Sequence, residues 1–154
     1  MSAGKRYILD ANVFIQAHQT YYGFDICPGF WLALTRQHEA KRIFSIDKIR
    51  VELLAMSDHL SDWVKNRAPD TFFKGTADKA VSDAFRDMVT WVQGESQFTP
   101  EAKAEFSSVA DGWLVAYAKA NGLVVVTGAV ALASRLSVAD SPCFSWFLLS
   151  DAHF

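Results

Sequence analysis

The chain has 154 residues, of which 51% are hydrophobic and 21% charged, and its formal net charge is -2. That length and composition are typical of one globular domain and exclude a disordered or low-complexity chain. The slightly negative charge excludes a protein that coats duplex nucleic acid by bulk positive charge, so any contact with nucleic acid has to be local.

Two cysteines, Cys27 and Cys143, lie far apart in the sequence, which excludes a disulfide framework and a clustered zinc site. No apolar run approaches the ~20 residues of a membrane helix, and the N-terminus lacks the apolar core of a signal peptide. We therefore expect a cytoplasmic protein that does not enter membranes.

The first half of the chain predicts two short strands, each followed by helix. Residues 7–9 form an apolar run, a helical pattern follows at once, and a second helix is predicted over about 30–42. Residues 43–45 are the second predicted strand. Because apolar side chains then recur every three or four residues, one long helix is predicted over 46–66, with Ser45 as its cap.

The second half continues the alternation of helix and strand. An amphipathic helix is predicted to begin near Thr76, followed by a short helix over 100–106. The segment 110–120 predicts a helix that Gly122 ends as a C-cap. The β-branched run 123–127 is typical of a strand that is buried on both faces of a parallel sheet. The alternation as a whole predicts an α/β fold.

The last segment, residues 128–154, differs in character because it holds only three charged side chains and no clear periodicity. Residues 143–149 fit either a final buried strand or an apolar tail that docks elsewhere on the protein or on another subunit. We expect one domain over residues 1–154 with an atypical C-terminal segment.

Three carboxylates stand where a site could form. Asp10 follows the first predicted strand, at the edge where open α/β sheets bind ligands. Glu52 borders the apolar stripe of the long predicted helix, and Asp111 opens a helix that is otherwise almost wholly apolar. Converging carboxylates repel one another unless a cation neutralises them, and such hard oxygen ligands suit Mg²⁺ or Mn²⁺.

Each of these acids also has a purely structural explanation. Asp10 fits an N-cap of the helix that follows it, as does Asn12. Glu52 fits a salt bridge with Lys48, or a side chain that leans out to water. Asp111 fits a cap of its own helix. The residue types alone leave these alternatives open.

The spacing of four motifs makes a resemblance specific. They are YILDANVF from residue 7, SIDKIRVEL from residue 45, ADGWLVAYA from residue 110 and VVVT from residue 124. Over residues 5–127 the chain resembles the PIN-domain family. It is most similar to the small prokaryotic VapC-like toxin subgroup, including the segment CPGFW from residue 27.

The resemblance implies a three-layer α/β/α sandwich with a short parallel sheet. It implies a metal-dependent endoribonuclease that cuts single-stranded RNA, with catalysis and the binding of Mg²⁺ or Mn²⁺ assigned to Asp10, Glu52 and Asp111. Asn12 and Thr127 match positions that support this cluster. A cognate antitoxin protein is the expected partner, and a homodimer is left open.

One family position departs from the pattern. PIN nucleases usually carry a fourth acid just after the position of Thr127, where this chain has Gly128 and Ala129. Asp140 or another group could substitute, one metal could be held weakly, or activity could be lost. The alternative function is therefore a catalytically impaired PIN module that binds RNA or a protein partner. A third hypothesis is a generic α/β domain whose acids are caps.

Cationic side chains of the first half, among them Arg6, Lys41 and Lys48, could flank the acids and guide an RNA strand. The alternative is that each is ordinary solvated surface, since isolated surface charges rarely have a specific task.

Overall fold

A computed structural model describes residues 4–108, 110–129 and 132. The strands are Tyr7–Leu9 (β1), Ile43–Ile46 (β2), Phe73–Lys74 (β3) and Val124–Val126 (β4). The helices are Ala11–Gln16 (α1), Pro28–Glu39 (α2), Asp47–Leu54 (α3), His59–Asn66 (α4), Lys79–Gly94 (α5), Pro100–Ser108 (α6) and Ala110–Asn121 (α7). A π-helical turn, Ala17–Tyr21, extends α1.

The four strands form one parallel sheet in the order β3-β2-β1-β4. The chain steps outward from β1 to β2 and β3, and then returns past β1 to reach β4. Because crossovers between parallel strands are right-handed, the outward steps place α1 to α4 on one face and the return places α5 to α7 on the other. The predicted α/β class and three-layer sandwich are confirmed.

Burial on both faces explains why the strands are apolar. Every side chain of β1 and β2 is buried, as expected for a parallel sheet covered by helices on both sides. On one side the aromatic rings of Phe14, Trp31, Trp63 and Phe72 pack together, with the centroids of Trp31 and Trp63 4.9 Å apart. This cluster joins α1, α2 and α4 to the chain just before β3.

The predicted long helix over 46–66 was wrong, because it is two helices. Ser57 takes a left-handed backbone with φ 52°, which ends the first helix. Asp58 then caps α4 by accepting the backbone N–H of Ser61 at 3.0 Å. Ser45 was also wrongly predicted as a cap: it lies within β2, and its buried hydroxyl donates to the carbonyl of Leu9 at 2.7 Å.

Two further differences concern the middle and the end of the chain. β3 was not predicted, because a strand of two residues shows no periodicity. The next helix begins at Lys79, since the N–H and hydroxyl of Thr76 instead bind the carboxylate of Asp47 at 3.1 and 2.9 Å. The prediction for residues 143–149 lies outside the described residues. Among the described helices, none combines the length and apolar character that a bilayer crossing requires.

Candidate metal centre

Asp10 is fixed at the carboxyl end of the sheet by its backbone. Its N–H donates to the carbonyl of Val126 in β4 at 3.0 Å, so the neighbouring strand β4 fixes the backbone directly after β1. Its Oδ1 accepts the N–H of Ala11 at 2.6 Å, and only 7% of the residue is exposed. The capping alternative is therefore confirmed for Asp10. Because the cap uses Oδ1, it leaves Oδ2 for other interactions.

Glu52 from α3 and Asp111 from α7 reach the same place. Both residues are exposed, but their charges act on Asp10. Burial, the Asp111 charge and the Glu52 charge raise the pKa of Asp10 from 3.8 to about 6, against the Ala11 N–H, which lowers it. A hydrogen bond between the side chains of Asp10 and Asp111 raises it further. The charges of both acids therefore act on the buried carboxyl group of Asp10.

The electrostatics of Glu52 indicate the same arrangement. Its pKa is raised by loss of solvent around the carboxyl group and then by the charge of Asp111, although the side chain as a whole stays exposed. The salt bridges found in the described part of the chain involve other acids, Asp58 and Asp83. Within the described residues, Asp10, Glu52 and Asp111 therefore have no salt-bridge partner, and their negative charges repel one another.

Lys48 does not pair with Glu52, so that structural alternative was wrong. Its ammonium group lies over the indole ring of Trp113, 4.7 Å from the ring centroid. The ring in turn stacks on Phe85, with centroids 3.9 Å apart and planes 4° from parallel. A cation and an aromatic pair, contributed by α3, α7 and α5, therefore pack together on the two helices that carry Glu52 and Asp111 and on α5.

The two predicted supporting residues lie at the same end of the sheet. Asn12 is exposed in the first turn of α1, and Thr127 is exposed directly after β4. Among the described side chains, no hydrogen bond joins either of them to Asp10, Glu52 or Asp111. Their supporting role stays a prediction.

The amide of Gln16 lies against the segment that follows Thr127. The Oε1 of Gln16 accepts the N–H of Ala129 at 3.1 Å. A Cβ added at Gly128 would meet the same oxygen at 3.2 Å, closer than ordinary van der Waals contact. A side chain at position 128 would therefore require the Gln16 amide to shift by a few tenths of an ångström. Asp140, the suggested substitute, lies outside the described residues.

Sequence reasoning missed the role of Ser45. Its hydroxyl holds the carbonyl of Leu9, directly before Asp10, and so ties β2 to the strand end that carries the acid. The signal was a serine inside the apolar strand of residues 43–46. A buried hydroxyl there needs a partner, which a neighbouring strand can supply.

The cations Arg6 and Lys41 do not flank the acids. Arg6 precedes β1 and Lys41 precedes β2, so both lie at the amino end of the parallel sheet, opposite Asp10. Lys48 lies in α3, one helical turn before Glu52, with its ammonium group over the ring of Trp113.

Comparison with protein families gives one match. Residues 7–140 match a family described as a domain of unknown function, DUF4411. The chain belongs to this family. Comparisons with curated proteins and with solved structures find no match. The DUF4411 match includes all five residues predicted for the site and extends past Thr127 into the C-terminal segment.

The donor chemistry of this DUF4411 chain fits a hard dication. Within the described residues, no three His, Cys, Asp or Glu side chains are arranged closely enough to bind an ion together. The fit lies in the chemistry of the donors, because Mg²⁺ and Mn²⁺ prefer carboxylate oxygens. The pKa values of Asp10 and Glu52 are raised, which shows that their negative charges are not neutralised by a neighbouring cation. Asp10, Glu52 and Asp111 are the residues that could hold Mg²⁺ or Mn²⁺.

Proposed function

We propose that this protein is a metal-dependent endoribonuclease of PIN type that hydrolyses phosphodiester bonds in single-stranded RNA. The observation that supports the proposal is that the charges of Glu52 and Asp111 raise the pKa of Asp10 at the carboxyl end of the sheet, while no salt bridge among the described residues neutralises these acids. Carboxylates that repel one another in the free protein are typical of functional sites, where a bound cation offsets the electrostatic cost.

Each acid has a distinct part in this proposal. Asp10 is the rigid ligand, because two strands hold its backbone and the Ala11 N–H holds its Oδ1. Glu52 and Asp111 are exposed, so a metal ion with a bound phosphate group can approach their carboxylates from the solvent. A bound Mg²⁺ or Mn²⁺ would supply charge for a phosphate oxygen and lower the pKa of a water molecule.

Lys48 would position the RNA. Lys48 lies one helical turn before Glu52 in α3, and the Trp113 ring restricts the position of its ammonium group. A lysine ammonium group whose position is restricted in this way is suited to bind the phosphate next to the phosphodiester bond that is cleaved. The half-buried Trp113 would at the same time offer an edge against which a base can pack.

A cleavage assay on a single-stranded RNA oligonucleotide tests the proposal. The wild-type protein with Mn²⁺ should cut, whereas excess chelator or Asp111→Asn should lower the rate by at least about 100-fold. Asp87→Asn is the matched control, because it removes the same charge from an exposed position on α5. Equal cutting by Asp111→Asn and the wild type, or cutting that chelator does not affect, would contradict the proposal.

The second candidate is a module that binds RNA or a protein without cutting. The segment after Thr127 favours it, because Gly128 and Ala129 carry no acid there and contact the amide oxygen of Gln16 instead. Calorimetric titration with Mn²⁺, followed by measurement of RNA binding and cleavage on the same sample, separates the two candidates. Saturable binding of Mn²⁺ and RNA without any product would favour the module.

We also propose that the chain is the toxin of a toxin–antitoxin pair, on the strength of the resemblance alone. Its expression should then inhibit growth, and coexpression of the product of a neighbouring small open reading frame should relieve the inhibition. Growth that neither condition changes would count against this partner.

A further inference from the structure

A pocket at the opposite end of the sheet has no role in the proposed nuclease. Its volume is about 460 Å³, within the range of small-molecule sites. Segments that lead into the strands line it: Arg6 before β1, Lys41 before β2, Thr71 before β3 and Leu123 before β4. The amino ends of all four strands therefore contribute to one cavity.

The walls of this pocket carry an excess of positive charge. Arg6, Lys41 and Lys74 line it together with a single carboxylate, Glu39. Within the described chain none of the three cations forms a salt bridge. Arg6 is oriented by a hydrogen bond from its Nη2 to the carbonyl of Asn121 at 3.2 Å. The excess of two charges has no partner of its own.

Contacts of two side chains, His38 and Lys74, preorganise the pocket. The Nδ1 of the buried His38 donates to the carbonyl of Ile43 at 2.9 Å, and its Nε2 lies 2.8 Å from the hydroxyl oxygen of Thr71. Lys74 extends from the edge strand over the ring of Phe44, with its ammonium 5.1 Å from the ring centroid. The floor of the pocket and one of its cations are therefore held in place.

Lys41 has a costly backbone conformation that glycine would adopt more easily. α2 ends with φ 60° at Lys41, and the next N–H, of Arg42, donates to the carbonyl of Gln37 at 3.0 Å. α7 ends in the same way, but with Gly122 at φ 65°. The ends of α2 and α7 are thus equivalent, but α2 carries Lys41 at the position where glycine is preferred. The side chain of Lys41 lines the pocket.

We propose that this pocket binds the phosphate of a ligand the size of a mononucleotide. A phosphate monoester carries nearly two negative charges at neutral pH and matches the excess of two positive charges, whereas a carboxylate brings only one. The half-buried ring of Tyr117 also lines the cavity and gives a base or sugar a surface to contact. The ligand could be a free nucleotide or the phosphorylated end of an RNA strand.

The test is calorimetric titration of the full chain with AMP and with inorganic phosphate, in the presence of chelator. Binding should saturate, and Lys41→Gly and Lys74→Gln should each weaken the affinity for AMP by about 10-fold, as for loss of one charge-assisted contact. Because chelator is present, this result does not depend on whether the protein is a nuclease. Lys79→Gln, an exposed cation on α5 outside the pocket, should keep the wild-type affinity.

Short RNAs with and without a 5′-phosphate identify the source of the ligand. Tighter binding of the phosphorylated RNA would identify an RNA end, and equal binding of both RNAs beside saturable AMP binding would identify a free nucleotide. Three outcomes would overturn the proposal: no saturable binding of AMP or phosphate, an equal loss in Lys79→Gln, or binding of a glutamate dipeptide as tight as that of AMP.

Discussion

The two ends of this sheet carry opposite charges. The carboxyl end gathers Asp10, Glu52 and Asp111, while the pocket at the amino end gathers Arg6 and Lys41. The strands have only two to four residues, so the ends are separated by roughly 10 Å along a strand that rises about 3.3 Å per residue. A formal net charge of -2 therefore hides a marked separation of charge.

The ends also differ in how their charged groups are held. Asp10 is buried and bound through its backbone, so its charge costs stability. The cations extend on long side chains into a cavity that is open to water, where charge costs little. We therefore expect changes at the acidic end to alter stability most, and changes at the basic end to alter ligand affinity most.

The largest effect is expected for the pH dependence of stability. In metal-free protein the folded Asp10 has a pKa of about 6 against an ordinary 3.8, so between these values the folded state binds more protons than the unfolded state. The free energy of unfolding should then fall as pH rises from 4 to 7, by up to about 3 kcal/mol. In Asp10→Asn the free energy of unfolding should no longer fall over this pH range. Chemical denaturation in the presence of chelator measures the change for the metal-free protein.

Two controls make this result specific. Asp87→Asn, at an exposed position, should keep the wild-type pH dependence. Mn²⁺ at pH 7 should raise the melting temperature of the wild type but not of Asp10→Asn, because only the wild type offers the carboxylate. The same pH dependence in Asp10→Asn and the wild type would refute the electrostatic account of the acidic end.

The next effect concerns the strand junction behind the acids. Ser45→Ala removes a buried hydroxyl and leaves the Leu9 carbonyl without that donor. The free energy of unfolding should fall by about 1–2 kcal/mol. Urea denaturation measures the change, and Ser82→Ala on the exposed side of α5 should alter it by less than about 0.5 kcal/mol. Equal effects of the two substitutions would mean that the hydrogen bond at Ser45 contributes nothing.

A smaller and purely functional effect is expected at Lys48. Lys48→Gln removes the cation over Trp113 and should raise the KM for RNA by about 2–5-fold, since one partly exposed charge contributes about 1 kcal/mol or less. The affinity for Mn²⁺ should stay the same. Lys65→Gln, an exposed lysine on α4, is the control. An unchanged KM would remove Lys48 from the site.

The smallest effect distinguishes the two glycine-like helix ends. Lys41→Gly should raise the free energy of unfolding by up to about 1 kcal/mol, because glycine adopts the left-handed backbone without a side-chain clash. Gly122→Ala should lower it by about 1 kcal/mol for the same reason. Thermal denaturation of both variants tests the pair, and a Lys41→Gly protein less stable than the wild type would show that the lysine is there for stability.

Local patterns account for the parts of the fold that were predicted. Residues 7–9 and 123–127 are apolar and β-branched enough to indicate buried strands, and Gly122 marks the end of α7. The break between α3 and α4 escaped prediction because the apolar periodicity continues across both helices. β3 escaped it because two residues carry no period. Neither feature leaves a signal within a short window of sequence.

The sequence by itself determined the α/β alternation, the apolar strands and the positions of Asp10, Glu52 and Asp111 at element ends and edges. Only the tertiary structure decided that the charges of these acids act on one another, that Lys48 turns to Trp113 and that Arg6 and Lys41 lie at the other end. The reason is physical: propensity and periodicity act between near neighbours in the chain, whereas charges meet through strand pairings such as that of β1 with β4, whose partners are far apart in sequence.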